Sequence, residues 1–305
     1  MREPLMVKQI QMTSTGSQFS QFVQGYWRLA EWGMTQQQRL TFIKQHLELG
    51  IDTVDHADIY GGYQCEQLFG EALALEPSLR EQLTIVTKCD IKLTAFSPAQ
   101  RINYYDCSAA HIEASVNNSL QRLGIEQIDT LLIHRPDYLM NADEVAQVFD
   151  ALHQAGKVAS FGVSNFTPSQ FDLLQSRLDA PLVTNQVEIN PVNMQVLDDG
   201  TLDQMQQYRI HPMAWSCLAG GEIFTGQSEQ HLRLRQTLQI IADAQGATLD
   251  QIIYAWILAM PSQPLPIIGS GNIDRVKQAV AASRIELTRE QWYEIWVASK
   301  GHGVP

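Results

Sequence analysis

The sequence predicts an α/β protein of one domain over residues 1–305, a (β/α)8 TIM barrel. Three observations carry this. Eight short β-type runs recur between residues 20 and 285, segments with helical apolar spacing separate them, and no Pro/Ser-rich linker or low-complexity stretch divides the chain. Such a barrel uses roughly 250 residues as one unit, which this length supplies. An open doubly wound sheet shows the same local alternation, and the unbroken run of units favours closure.

The strand-type runs are FVQGYW near residue 22, DTVDHA near 52, LTIVTK near 83, DTLLIH near 129, SFGVSN near 160, LVTNQVEI near 182, HPMAWS near 211 and LPIIGS near 265. The first helix is well marked. Thr35 and Gln38 have capping-box spacing, Leu40, Ile43 and Leu47 fall on one face, and Gly50 ends the pattern. Further helices are expected near Cys107, Asn141, Pro168 and Leu249, where DQIIYAWILAM is apolar enough to be buried. LTREQWYEIW near 288 reads as a terminal helix packed on the barrel or its rim.

Composition narrows the function. Hydrophobic residues make up 45% and charged residues 18%, a globular balance. With 21 basic against 33 acidic residues the formal charge is -12, which disfavours nucleic acid and anionic membranes as partners. Cys65, Cys89, Cys107 and Cys217 show no paired or metal-finger spacing, so free thiols and a cytoplasmic location are expected. MREPLMVKQIQMTSTGSQ has no apolar stretch of signal-peptide length, and no segment suggests a membrane span.

In a parallel barrel, chemistry collects at the C-terminal ends of the strands. Asp55 with Tyr60 just beyond it, Lys88 and His134 end the second, third and fourth runs. Reducing a carbonyl with a hydride leaves an alkoxide that must be protonated, so a positioned acid is needed, and Tyr60 suits that role. A free phenol titrates near about 10, a neighbouring Lys88 ammonium favours the phenolate, and Asp55 keeps a buried Lys88 charged. His134 is placed to donate to or orient the carbonyl oxygen. Taken singly, each residue has an ordinary structural reading: a loop cap, a packed aromatic, a rim lysine, a core histidine. Their joint placement at successive strand ends is what singles them out.

The segments DTVDHADIYG, LLIHRPD, FGVSNF, NQVE and SGNIDR, with the Lys88 strand, resemble the aldo-keto reductases in order and across nearly the whole chain. GYWRL, VDHADIYGGYQCE, NQVEI and PMAWSCL are similar to a bacterial branch of that family. The resemblance implies a (β/α)8 barrel with a catalytic tetrad at Asp55, Tyr60, Lys88 and His134. It implies that Ser164, Asn165 and Gln186 hold a nicotinamide carboxamide and that Trp215 stacks on its ring. Ser216, Leu218 and Gly220 would cradle the pyrophosphate, and Ser270, Arg275 and Gln278 would surround an adenosine 2'-phosphate, with NADPH preferred over NADH. The chain departs from the common pattern at Gly269, where many members carry lysine, and at Gln278 and Ala279, where many carry a Glu-Asn pair. No G-x-G-x-x-G opens a helix after the first strand, so a Rossmann site is not expected.

Trp27 and Trp32, with Trp215, are expected to wall an apolar pocket for a small-molecule carbonyl substrate in a monomer or weak oligomer. Two other readings compete. Asp55, His56, Asp58, His134 and His211 can be drawn as ligands of a metal-dependent hydrolase, but adjacent strand residues point to opposite faces and no H-x-H or H-E-x-x-H spacing occurs. An NADP-binding regulatory subunit with little turnover is the second.

Overall fold

The computed structural model describes residues 6–14, 16–96 and 100–305. The leader-peptide reading of the first 18 residues therefore falls partly outside the described residues. Eight parallel strands close a barrel: β1 (Val23–Gly25), β2 (Thr53–Asp55), β3 (Thr84–Cys89), β4 (Ile128–Ile133), β5 (Val158–Ser164), β6 (Asn185–Glu188), β7 (Met213–Trp215) and β8 (Leu265–Ile268). Each pairs with its sequence neighbour, and β8 closes on β1 through Ile267 opposite Val23 and Ile268 opposite Gln24. All eight expected runs form barrel strands, and the open-sheet alternative is excluded.

Helices α1 (Gln36–Glu48), α2 (Cys65–Leu73), α3 (Ala109–Leu123), α4 (Ala142–Gln154), α5 (Pro168–Gln175), α6 (Thr201–Tyr208), α7 (Glu229–Gln245), α8 (Leu249–Leu258), α9 (Ile273–Ala281) and α10 (Arg289–Lys300) surround the sheet. Local chemistry explains their ends. Thr35 and Gln38 form the expected capping box, and Thr167/Gln170, Thr248/Gln251 and Thr288/Gln291 repeat it at α5, α8 and α10. Gly124 ends α3 at φ 66°, a left-handed cap that costs glycine nothing.

An N-terminal hairpin, Gln9–Gln11 against Gln18–Ser20, stands outside the sequence expectation. Its Met12 and Phe19 are buried with Val23, Val86, Leu132, Val183, Met213 and Leu265. Four of these are first or early strand residues, so the hairpin plugs the N-terminal end of the barrel. The opposite end is left for polar side chains. A second short hairpin, Ile91–Lys92 against Tyr104–Tyr105, rises beyond β3 with both tyrosines partly exposed. Among the described residues no helix is long and apolar enough to cross a membrane.

Candidate active site

Strand alternation decides which residues reach the barrel interior. On β2, Asp55 meets the interior lysine Lys88, whereas the next residue, His56, packs outward, its ring stacked on Tyr26 at 4.9 Å and edge-on to Phe69. Beyond it the chain carries Tyr60 over the strand ends, and Gly61, Gly62 and Tyr63, which follow it, turn the chain into α2 with φ of 58°, 65° and 67°. A side chain at Gly62 would meet the Phe96 ring at 2.5 Å, so the position needs both the glycine conformation and its missing carbon.

Lys88 organises the cluster. Its ammonium, 0% exposed, donates to both Asp55 carboxylate oxygens at 2.8 and 2.9 Å, to the His56 carbonyl at 2.7 Å and to the Tyr60 hydroxyl at 3.0 Å. Burial alone would lower the Lys88 pKa, but Asp55 together with Tyr60 reverses this and the net direction is upward, so the amine stays charged. The His134 ring lies 5.9 Å from that of Tyr60 at an interplanar angle of 78°. Burial, then the charges of Lys88 and Arg135, hold its pKa well below the usual histidine value, so the imidazole is neutral. Its Nδ1 is buried without a hydrogen-bond partner among the described residues. The structure thus brings all four strand-end residues together.

One expectation about them is corrected. The phenol was expected to be acidified by its neighbours. Burial instead raises the Tyr60 pKa above its ordinary value, and the opposing pull of Lys88 does not cancel it. Tyr60 is therefore a firmly protonated donor in this structure.

The next strands carry amides. Ser164 Oγ donates to the Gln186 carbonyl at 2.8 Å. Asn165, at φ 60°, donates through Nδ2 to Ser164 Oγ at 2.8 Å and to the His134 carbonyl at 3.3 Å. Its Oδ1 accepts from Trp215 Nε1 at 3.0 Å, which ties the indole to the amide. Gln186 Nε2 reaches across the barrel to Asp55 Oδ1 at 2.7 Å, joining this network to the ion pair. A nicotinamide carboxamide would find amides and a hydroxyl of the right chemistry here, and a half-buried indole beside them.

Two backbone loops follow. After β7, Ser216, Ala219, Gly220 and Gly221 all have positive φ, and added carbons at Gly220 and Gly221 would meet nothing within 4 Å. Successive left-handed turns of this kind expose N–H groups suited to phosphate oxygens. Leu218 lies in the same loop, where its carbonyl accepts from Gly221 N at 2.9 Å. After β8, Gly269 is equally open, Ser270 Oγ accepts from Asn272 N at 3.1 Å, and Asn272 caps α9. Gln24, unmarked in the sequence reading, fastens this loop to β1 by donating to the carbonyls of Ile268 and Ser270 at 3.0 and 3.1 Å. Arg275 and Gln278 lie exposed on α9. Arg275 makes no ion pair among the described residues, and Asp274 pairs with Lys277 instead at 3.4 Å.

The two tryptophans diverge. Trp27 stands beside Tyr60, ring centroids 6.5 Å apart, and is 60% exposed. Trp32 packs on Tyr26 at 5.6 Å and Phe42 at 5.4 Å, and its ring backs Gly271. It supports the loop after β8, so it does not share the Trp27 wall; its apolar bulk was legible, its direction was not. Among the described residues no three His, Cys, Asp or Glu side chains are arranged to hold a metal ion. His56 lies in its aromatic stack, and His211 Nδ1 contacts the Ser262 carbonyl at 3.1 Å.

The sequence comparisons give the class: the chain belongs to the Aldo/keto reductase family, which matches residues 21–299, and is an NAD(P)H-dependent oxidoreductase. It is 55% identical over 301 residues to oxidoreductase YdhF of Escherichia coli strain K12, covering 98% of this chain and 100% of that protein. It is 39% identical over 289 residues to a 6-dehydroglucose reductase of Agrobacterium fabrum, covering 94% and 96%. Among solved structures, a thermostable aldo-keto reductase, Tm1743, in complex with the inhibitor epalrestat, superposes with a TM-score of 0.80 at 25% identity, covering 95% of this chain and 99% of that one.

Proposed function

We propose that this enzyme reduces the aldehyde or ketone group of a small molecule with NADPH, with Tyr60 as proton donor and Lys88, Asp55 and His134 in support. The observation that carries the reading is the 3.0 Å contact between the Lys88 ammonium and the Tyr60 hydroxyl, inside a buried ion pair and beside a neutral imidazole.

A bound nicotinamide would supply the hydride. Ser164, Asn165 and Gln186 would hold its carboxamide and Trp215 its ring. The backbone N–H groups of Ser216, Leu218 and Gly220 would take the pyrophosphate, and Ser270, Arg275 and Gln278 the adenosine phosphate. Everything else falls to side chains of the chain. Tyr60 gives its proton to the carbonyl oxygen as charge builds there, and His134, with one N–H to give, donates a hydrogen bond to the same oxygen. The departing proton leaves a phenolate, which the Lys88 ammonium stabilises at hydrogen-bond distance. Asp55 keeps that ammonium charged although it is out of water. Each unit by which Lys88 lowers the phenol's pKa eases proton release by about 1.4 kcal/mol.

A protein that only bound the cofactor would have no use for a lysine buried against a tyrosine, so the regulatory-subunit reading is not favoured. The test is NADPH and NADH oxidation across a panel of aldehydes and ketones, with wild type and Arg275→Ala. Wild type is expected to turn over with NADPH ahead of NADH. The variant is expected to lose NADPH affinity roughly ten-fold or more and NADH affinity little, as for a lost bidentate phosphate contact. Equal losses for both cofactors would move the adenosine phosphate elsewhere, and no oxidation of either by wild type would end the proposal.

A further inference from the structure

Two arginines stand on tryptophans of the site, one on Trp27 beside Tyr60 and one on Trp215 beside Asn165. The Arg28 guanidinium lies 5.1 Å from the Trp27 ring and the Arg135 guanidinium 5.6 Å from the Trp215 ring. Neither makes a salt bridge or a side-chain hydrogen bond among the described residues, although the molecule carries a net charge of -12. Arg28 is exposed, as rim arginines commonly are. Arg135 is half-buried and follows His134 directly at the end of β4, so it belongs to the wall of the site.

Its backbone is held firmly. Asp90, at φ 107°, accepts from Arg135 N at 3.0 Å and from the Cys107 thiol at 3.7 Å. Asp137, the next carboxylate along the loop, accepts from Cys107 N at 3.0 Å and Leu139 N at 2.8 Å. The nearby carboxyl groups thus take backbone and thiol donors, Asp90 through Oδ2 alone, and neither pairs with the guanidinium, which has only an aromatic face. Its charge is felt at the reacting groups, since it contributes to lowering the pKa of both His134 and Tyr60. Lys88 does not compete for an anion, because Asp55 already neutralises it.

We propose that Arg135 selects carbonyl substrates bearing an anionic group, a carboxylate or a phosphate, and holds that group while the carbonyl lies against Tyr60 and His134. A planar fork of N–H donors matches both anions two bonds at a time, and partial burial strengthens the contact. The inference rests on the carbonyl-reductase reading and narrows it to a substrate class.

The test compares matched substrates with NADPH: 4-carboxybenzaldehyde against 4-methylbenzaldehyde, and glyceraldehyde 3-phosphate against glyceraldehyde. Wild type is expected to favour the charged member of at least one pair by about ten- to a hundred-fold in kcat/KM, the range of one charge-assisted contact. Whichever pair shows it distinguishes carboxylate from phosphate. Arg135→Gln is expected to abolish that preference, any loss from the missing charge near Tyr60 and His134 falling alike on both members of a pair so that their ratio reads the anion contact, and Arg135→Lys to restore part of it. Equal kcat/KM for charged and uncharged members in wild type overturns the proposal and leaves the carbonyl-reductase reading standing. So does a loss in Arg135→Gln that appears as weakened NADPH binding with the substrate ratio unchanged. Should wild type reduce none of the four, quenching of tryptophan fluorescence decides the anion site, while the wider aldehyde and ketone panel decides the reductase reading. 4-(Hydroxymethyl)benzoate or glycerol 3-phosphate should bind wild type and not Arg135→Gln, and binding of both at equal strength to the two proteins counts against the site.

Discussion

Asp55 and His56 are sequence neighbours with opposite surroundings, and the difference is one step of strand alternation. Asp55 faces Lys88 inside the barrel, while His56 is sealed among rings and held near a pKa of about 3 by burial and then by Lys88. Asp55→Asn tests what the carboxylate does. Without it, burial dominates and the Lys88 pKa falls, so a larger share of the amine is neutral and cannot stabilise the phenolate. Reduction by this variant is expected to drop by about ten-fold or more at pH 8 and to recover partly as pH falls and Lys88 is recharged. A pH–rate profile parallel to that of wild type would count against this role. The strand-end residues themselves were legible in the sequence because each ends an apolar run. The direction of the Tyr60 pKa was not, because it depends on how completely the ring is buried. Gln186 was linked to a carboxamide, and its bond to Asp55 crosses the barrel between residues 131 positions apart.

At the level of elements, the β2–α2 connection does most to place Tyr60. Three successive left-handed residues turn the chain, and Phe96 fills the space above Gly62. Gly62→Ala puts a carbon 2.5 Å from that ring at a φ of 65°, so Tyr60 is expected to shift. We expect kcat to fall by about ten-fold or more, with NADPH affinity almost unchanged, since misplacing a reacting group by about 1 Å is costly to rate. Kinetics and cofactor titration of the variant measure this directly. Unaltered kcat would show that the turn has slack. Strands and capped helices were readable because their signals are local: apolar runs, and Thr three residues before Gln. Helices α2, α6, α7 and α9 were not named. Helices α2 and α6 start with no side-chain cap, α7 is rich in Gln and Arg with four buried residues, and α9 is only nine residues long with Val276, Ala279 and Val280 buried. The N-terminal hairpin pairs three residues a side and depends on the barrel it plugs.

For the whole molecule, buried titratable groups set the dependence of stability on pH. Asp58, closed in near Glu66, has its pKa raised to about 7 by burial and then by that neighbour. A raised folded pKa means the unfolded chain releases its proton first. The stability associated with this group is present below its unfolded value of 3.8 and is lost as pH rises toward about 7. Asp58→Asn is therefore expected to be more stable than wild type by a few kcal/mol above pH 7, with the gain vanishing toward pH 4. His46 works in the opposite sense: its pKa is lowered to about 4, and the stability it lends above its unfolded value of 6.5 is lost as pH falls through that window. Denaturant midpoints of wild type and Asp58→Asn across this range measure the first effect. A stability difference that does not vary with pH would mean that the Asp58 pKa is the same in the folded and the unfolded chain.

The claim on which the chemistry turns is that the Tyr60 hydroxyl, held by Lys88, protonates the substrate oxygen. The single-turnover rate of NADPH oxidation by Tyr60→Phe with saturating aldehyde, measured beside the NADPH dissociation constant, addresses it most directly. The rate should fall by roughly 10²- to 10⁴-fold, the usual contribution of a positioned acid, while the dissociation constant stays within about two-fold. A variant that still transfers hydride at the wild-type rate would show that the proton comes from another group.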